Sequence, residues 1–492
     1  MYNLLAGFSF FFEDDSAEVV GAILDIPQGG SFPVSLLESW TGVSEESLRP
    51  FLEQLENVGL VSSHPVYDRD VEQYRRYLRE NGFKPESTDA SSDQLATAQS
   101  DAEKAYILRS KVPAAAVMFE LTYTCSEKCI HCYNPGATRN DGEVSQRRRK
   151  ELSLDDYKRI IDDLHGHGLA KACLTGGDPF SKPEAWEILA YLRGKDIAVE
   201  VFTNGQRLLG REEELASFFP SDVGISLYGP TAEIHDAVTR VKGSFDKSLT
   251  VLGRLSELHV PLAVKCSLMR SNFRYYPEMF DLAGRLGADL QIECRLFDGL
   301  DGDRCISRYL RLTPDQMRVV FRDRRLPYYV GEELPDYGAV PQDMGHIACR
   351  AGVHNFCVTP EGLLIPCCSY HAVLGDLSRS SFSEILEGNE QLARLVSTPM
   401  SAYEECGRHD YCSFCKMCPG LNFAENGTPL KAAENNCYVA KLRYQLSLDL
   451  RAGWDPLNGM TVGEALKRLG EESPDVIRKE MSTGHLNEVL RL

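Results

Sequence analysis

Between residues 115 and 294, short apolar runs alternate with stretches of helical spacing. The runs at 115–121, 171–175, 197–203, 223–227, 262–267 and 289–294 predict strands. Between the first two, Leu154, Tyr157, Ile160, Ile161 and Leu164 fall on one helical face, with Ser153 and Asp156 spaced as a capping box. Pro183 sits where the next helix is expected to begin. Six strand–helix units in series predict an α/β fold, a parallel sheet curled into a partial (β/α)6 TIM-like barrel. Functional groups then belong at the C-terminal ends of the strands.

The first part of the chain carries a different pattern. Residues 17–26 and 34–40 read as two short helices, separated by a Pro-Gly break at 27–30. A third places Leu48, Phe51, Leu52 and Leu55 on one face and ends at Gly59; Pro50 predicts that it starts close to Ser47. With an apolar stretch at 60–63 after it, this order predicts a winged-helix-like domain over 1–84, with an edge strand at 5–12. Residues 65–84 read as a charged helix, and 85–110, rich in Ser, Thr, Ala and Asp, as a linker. The barrel is expected over 111–330, a cysteine-dense domain over 331–450, and a polar helical tail over 451–492.

Charge narrows the use of the first domain. The chain of 492 residues has a net charge of −19. Residues 1–63 hold ten acids against one base, Arg49. An acidic third helix does not suit a phosphate backbone, so no nucleic-acid partner is expected. No apolar run approaches 18 residues, and the N-terminal stretch lacks a basic region, so neither a membrane span nor a signal peptide is expected. A cytoplasmic protein with 16 cysteines points to metal rather than disulfides.

The cysteines are clustered. Cys125, Cys129 and Cys132 form C-x3-C-x2-C directly after the first barrel strand. Three thiolates in so short a loop hold three corners of a cubane cluster and leave one iron open; zinc, with His131 as fourth ligand, is the alternative. The triplet, with aromatic His131 before its last cysteine and Tyr133-Asn134 after it, resembles the radical S-adenosylmethionine (SAM) signature. Thr175-Gly176-Gly177-Asp178-Pro179 resembles the family's G-G-E-P loop with Asp for Glu, and Thr203-Asn204-Gly205 its T-N-G. Ser226 ends the fourth strand and Arg240 follows it. The resemblance implies that Thr175, Gly176, Gly177, Asp178, Thr203, Asn204, Ser226 and Arg240 contact SAM. It also implies reductive cleavage of SAM to methionine and a 5′-deoxyadenosyl radical, which abstracts a hydrogen atom from the substrate.

Cys349-x12-Gly362-x4-Cys367 resembles the opening of the SPASM auxiliary-cluster domain. The later cysteines, Cys406, Cys412, Cys415, Cys418 and Cys437, depart from its usual spacing. Either His409 or Cys412 takes one ligand place, and all-thiolate ligation favours Cys412. Two auxiliary [4Fe–4S] clusters are then expected: Cys349, Cys357, Cys367 and Cys418 hold one, and Cys406, Cys412, Cys415 and Cys437 the other. One or two structural zincs are the alternative. Cys173, Cys266 and Cys294 read as packing residues. Cys368 stands where sulfatase-maturing relatives have an Asp base, which argues against sulfatase maturation.

The 1–84 domain resembles the precursor-peptide recognition element of peptide-modifying enzymes, similar to the small PQQ-biosynthesis chaperone. The whole is similar to a radical SAM/SPASM peptide maturase that binds a leader peptide on residues 1–84 and draws electrons from a donor such as flavodoxin or ferredoxin. Such an enzyme installs a thioether, a C–C cross-link or a related change. The alternatives are a SPASM-type enzyme acting on a small molecule or tetrapyrrole, and an iron–sulfur regulator that reads DNA.

Overall fold

The computed structural model describes residues 2–3, 8–9, 19–20, 22–23, 34–57, 116–134, 151–298, 305–331, 349, 351–353, 355–415 and 417–470. Two compact units divide the chain: residues 1–111 with 259–261, and the remainder.

In the first unit, β1 (Tyr2–Asn3) pairs antiparallel with β2 (Phe8–Ser9). Helices Val34–Thr41 and Glu45–Asn57 pack Leu37 and Leu48 against Val19, with Val34, Val43, Phe51 and Leu52 around them. The third helix starts two residues earlier than Pro50 predicts. Ser44 caps it: its carbonyl accepts from Leu48 N at 2.9 Å and its hydroxyl from Ser47 N at 3.4 Å. Pro50 therefore lies beyond the first turn. The stretch at 60–63, the charged helix at 65–84 and the linker lie outside the described residues, as does most of the strand expected at 5–12.

The second unit is built on one sheet. Its strands are β3 (Ala116–Thr122), β4 (Lys171–Gly176), β5 (Ala198–Thr203), β6 (Asp222–Ser226), β7 (Leu262–Ser267), β8 (Asp289–Glu293), β9 (Asn355–Val358), β10 (Leu363–Ile365) and β11 (Gly375–Asp376). The six predicted strands stand in sequence order and all pair parallel. Phe119, Leu174, Val201 and Ile225 are fully buried beneath the helices that follow the strands. The Ser153–Asp156 capping box forms, and helix Leu154–Gly166 buries Tyr157, Ile160, Ile161 and Leu164. The next helix runs Ala185–Arg193, two residues after Pro183.

The cysteine-rich segment is not a detached lobe. Strand β9 pairs parallel with β3, with Met118 opposite Cys357, and β10 and β11 extend the same sheet antiparallel. Helix Leu154–Gly166 ties down this extension: Arg159 donates to the Leu377 carbonyl at 2.7 Å, and Asp163 accepts from Phe382 N at 2.6 Å. A four-residue strand with no alternating pattern gives no sequence signal for this pairing. Helices Glu434–Arg451 and Val462–Arg468 follow; residues 471–492 of the expected tail lie outside the described ones. Among the described residues no helix is long and apolar enough to cross a membrane.

Candidate SAM and cluster sites

The loop after β3 carries Cys125, Cys129 and Cys132, and neighbouring elements fix its backbone. Lys128 N donates to the Thr239 carbonyl and Ile130 N to the Val238 carbonyl, both at 3.0 Å. All three thiols line one cavity of about 340 Å³, together with side chains from the ends of the five strands that follow: Thr175, Thr203, Ser226, Ser267 and Glu293 among them. Burial pushes the Cys125 thiol up to about 12 and raises Cys129 and Cys132 as well. Buried thiols of this kind ionise when a metal supplies the opposing charge. Glu127 Oε1 and His131 Nδ1 are buried there without a hydrogen-bond partner. Among the described residues no three His, Cys, Asp or Glu side chains close around a single-ion position.

The glycine loop lies against the cysteine loop. Gly177 N donates to the Thr122 carbonyl at 2.7 Å and Asp178 N to the Thr124 carbonyl at 3.0 Å. A Cβ on Gly176, whose φ is +128°, would come within 2.3 Å of Thr122 O; one on Gly177 would come within 2.6 Å of Tyr123 O and Thr124 O. Only glycine permits that approach.

Two of the residues expected to contact SAM do not line the cavity. Asp178 is fully buried; it accepts from the Thr203 hydroxyl and, at 3.4 Å, from the Ser181 hydroxyl. Burial raises its pKa, while the Thr203 bond opposes that shift. It therefore positions the end of β5. Arg240, in a left-handed conformation (φ 58°), turns its guanidinium to the Lys128 carbonyl and braces the cysteine loop. Thr175, Gly176, Gly177, Thr203, Asn204 and Ser226 do line the cavity. His131 packs edge-on against Tyr228 with ring centres 4.6 Å apart; burial lowers its pKa to about 4, so the ring is neutral.

A second cavity of about 200 Å³ gathers Cys406, Cys412, Cys415 and Cys437 with Met400, Tyr411 and Met417. His409 is not part of its wall; its ring stacks on Tyr411 at 4.8 Å. The other four cysteines are arranged less evenly. Cys367 has Cys368, Cys418 and Cys349 as electrostatic neighbours, whereas Cys357 has Glu120, Cys368, Cys367 and Cys173. Cys367 and Cys368 line a chamber of about 240 Å³ with Met118, Cys173, Lys171 and Glu200. Cys173 borders that chamber but is buried in the core, as Cys266 and Cys294 are.

Sequence reasoning passed over Lys265, Glu293 and Arg295, which also line the SAM-side cavity. A lysine inside the apolar run Leu262–Ser267 was the available signal, since buried parallel strands rarely carry one.

Residues 119–283 match the radical SAM superfamily and residues 349–419 the SPASM iron–sulfur cluster-binding domain. The chain is 30% identical over 338 residues to the mycofactocin maturase MftC of Mycobacterium tuberculosis (strain CDC 1551), covering 65% of this chain and 81% of that protein. It belongs to the radical SAM superfamily and is an enzyme that binds SAM at a [4Fe–4S] cluster. Within that superfamily it is one of the members with a SPASM domain and auxiliary clusters. It is also 24% identical over 340 residues to the AdoMet-dependent heme synthase of Methanosarcina barkeri (strain Fusaro), covering 64% of this chain and 94% of that protein. Streptococcus suis SuiB bound to S-adenosylmethionine has the same fold, with a TM-score of 0.53 at 13% identity over 89% of this chain and 95% of that one.

Proposed function

We propose that this enzyme is a maturase of a ribosomally made precursor peptide. The observation that carries this reading is the 30% identity to a mycofactocin maturase over 338 residues. When bound to the reduced cluster, SAM supplies a 5′-deoxyadenosyl radical for hydrogen abstraction. Cys125, Cys129 and Cys132 hold that cluster. Gly176 and Gly177 let backbone approach the SAM amino group, and Thr203, Asn204 and Ser226 offer polar groups from the next two strand ends. Asp178 and Arg240 position these elements.

Cys406, Cys412, Cys415 and Cys437 are assigned to one auxiliary cluster, on the strength of their common cavity. Cys349, Cys357, Cys367 and Cys418 are assigned to the other. Residues 1–84 are assigned to leader-peptide binding, in which a peptide adds to an edge strand. Flavodoxin or ferredoxin in a reducing cytoplasm is the assigned electron source.

Coexpression of the full chain with each short open reading frame beside its gene, followed by mass spectrometry, tests this reading. One peptide is expected to change mass with the wild type and not with the Cys125→Ala variant. If no peptide changes, the reading fails. The heme-synthase similarity favours a second reading, a tetrapyrrole substrate. In that case an enzyme lacking residues 1–84 would keep full activity.

A further inference from the structure

Four charged side chains line the SAM-side cavity: Glu127, Lys265, Glu293 and Arg295. Three are engaged with neighbours. Glu293 holds Arg295 by two bonds, at 3.1 Å to Nε and 2.9 Å to Nη2, and also accepts from Tyr328 OH. Glu127 accepts from Cys129 Sγ at 3.4 Å. Lys265 differs. Its Nζ donates to the neutral Gln291 Oε1 at 2.7 Å and lies 3.7 Å from the centre of the Phe202 ring. Among the described residues it makes no ion pair. The carboxylates that act on it electrostatically are Asp222, at the start of the neighbouring β6, and Glu200, one strand further on in β5 and paired with Lys171 at 2.6 Å.

This lysine is built into the wall. A Cβ on Gly224 would come within 2.2 Å of Lys265 Cε, so glycine opens the slot through which the side chain runs. The aromatic face and the amide fix the ammonium without neutralising it. Half-burying a strongly hydrated ammonium without a direct ion pair is costly, and an anion arriving in the cavity offsets that cost. Ser267, two residues along the same strand and on the same face, lines the cavity beside it.

We infer that Lys265 is the anchor of an anion subsite inside the barrel, and that it takes a carboxylate of the substrate. This rests on the peptide-maturase reading for the source of that group: the C-terminal carboxylate of the peptide, or an Asp or Glu side chain near the modified residue. Lys265 is then a specificity-determining residue that sets which part of the peptide enters the cavity.

The test is equilibrium dialysis under anaerobic conditions with the full, cluster-loaded chain and saturating SAM. The probes are N-acetyl-L-alanine, N-acetyl-L-aspartic acid α-amide and the neutral N-acetyl-L-alaninamide. The wild type is expected to bind one acid at least tenfold more tightly than the neutral amide, and the preferred acid identifies the source. Lys265→Met should abolish that preference, and Lys265→Arg should restore most of it. Equal binding of acid and amide by the wild type overturns the inference, as does a Met variant that keeps the preference. A Met variant that instead weakens SAM binding tenfold overturns it too, because the cation would then serve the cofactor. An acid preference together with no modified peptide on coexpression would keep the subsite and overturn the peptide reading.

Discussion

Asn204 Nδ2 lies 3.3 Å from Cys125 Sγ and 3.3 Å from Ser126 Oγ, so the end of β5 fastens the first thiol of the loop after β3. The backbone bonds to Thr239 and Val238 hold the middle of that loop, and this side chain adds a hold at its first thiol. An N–H group directed at a cluster ligand also stabilises the reduced, more negative state. Asn204→Ala should therefore make the reduction potential of the SAM cluster more negative and slow 5′-deoxyadenosine formation about tenfold. A hydrogen bond to a charged group is worth about 1.5–3 kcal/mol, which covers that loss. A redox titration followed by electron paramagnetic resonance reads the first effect; an unchanged potential would show that the bond only shapes the loop.

Gly176→Ala places a methyl group against the Thr122 carbonyl in a backbone conformation reserved for glycine. The backbone strain alone costs about 1–3 kcal/mol. Urea unfolding should show at least that loss, together with weaker SAM binding, because the glycine loop must withdraw from the cysteine loop. A variant as stable as the wild type would mean that the two loops are not held in contact.

Asp222, at the start of β6, has its pKa raised to about 6, first by burial and then by Glu200. The folded state therefore holds this proton more tightly than the unfolded chain does. The resulting stability is full below about pH 4 and is lost as pH rises through about 6. Asp222→Asn, which needs no ionisation, should be more stable than the wild type at pH 7 by an amount of order 2 kcal/mol. The advantage should shrink towards pH 5. Paired urea titrations at the two pH values check the sign, and an advantage that grows on acidification would contradict it.

The second auxiliary cavity separates two candidate ligands. Cys412 is in its wall and His409 is stacked outside it on Tyr411. Cys412→Ser should lower the iron content by up to about four per chain, the content of one cubane, and His409→Ala should leave it unchanged. The reverse pattern would move the ligand assignment to the histidine.

The six parallel strands were legible because each is a short apolar run followed by a helix with clear spacing and, at Ser153, a capping box. The cysteine loop and the glycine loop were legible because their chemistry is packed into a few consecutive residues. The orientation of Asp178 and Arg240 was not legible for one reason: a short motif tells which residues gather at a strand end, but not which way a side chain turns. Asp178 turns to Thr203 and Arg240 to the Lys128 carbonyl. The pairing of β9 with β3 was hidden because its partner lies more than 200 residues earlier in the chain. Lys265 was hidden because its slot depends on Gly224 of the neighbouring strand.

The central claim is one SAM cluster and two auxiliary clusters in one chain. Iron and sulfide per chain, measured after anaerobic reconstitution of the wild type and of the Cys125/Cys129/Cys132→Ala variant, test it most directly. About 12 irons falling to about 8, at four irons per cubane, is the predicted result. A variant that retains about four would remove one auxiliary cluster from the account, and one that retains none would contradict the assignment of the C-terminal cysteines altogether.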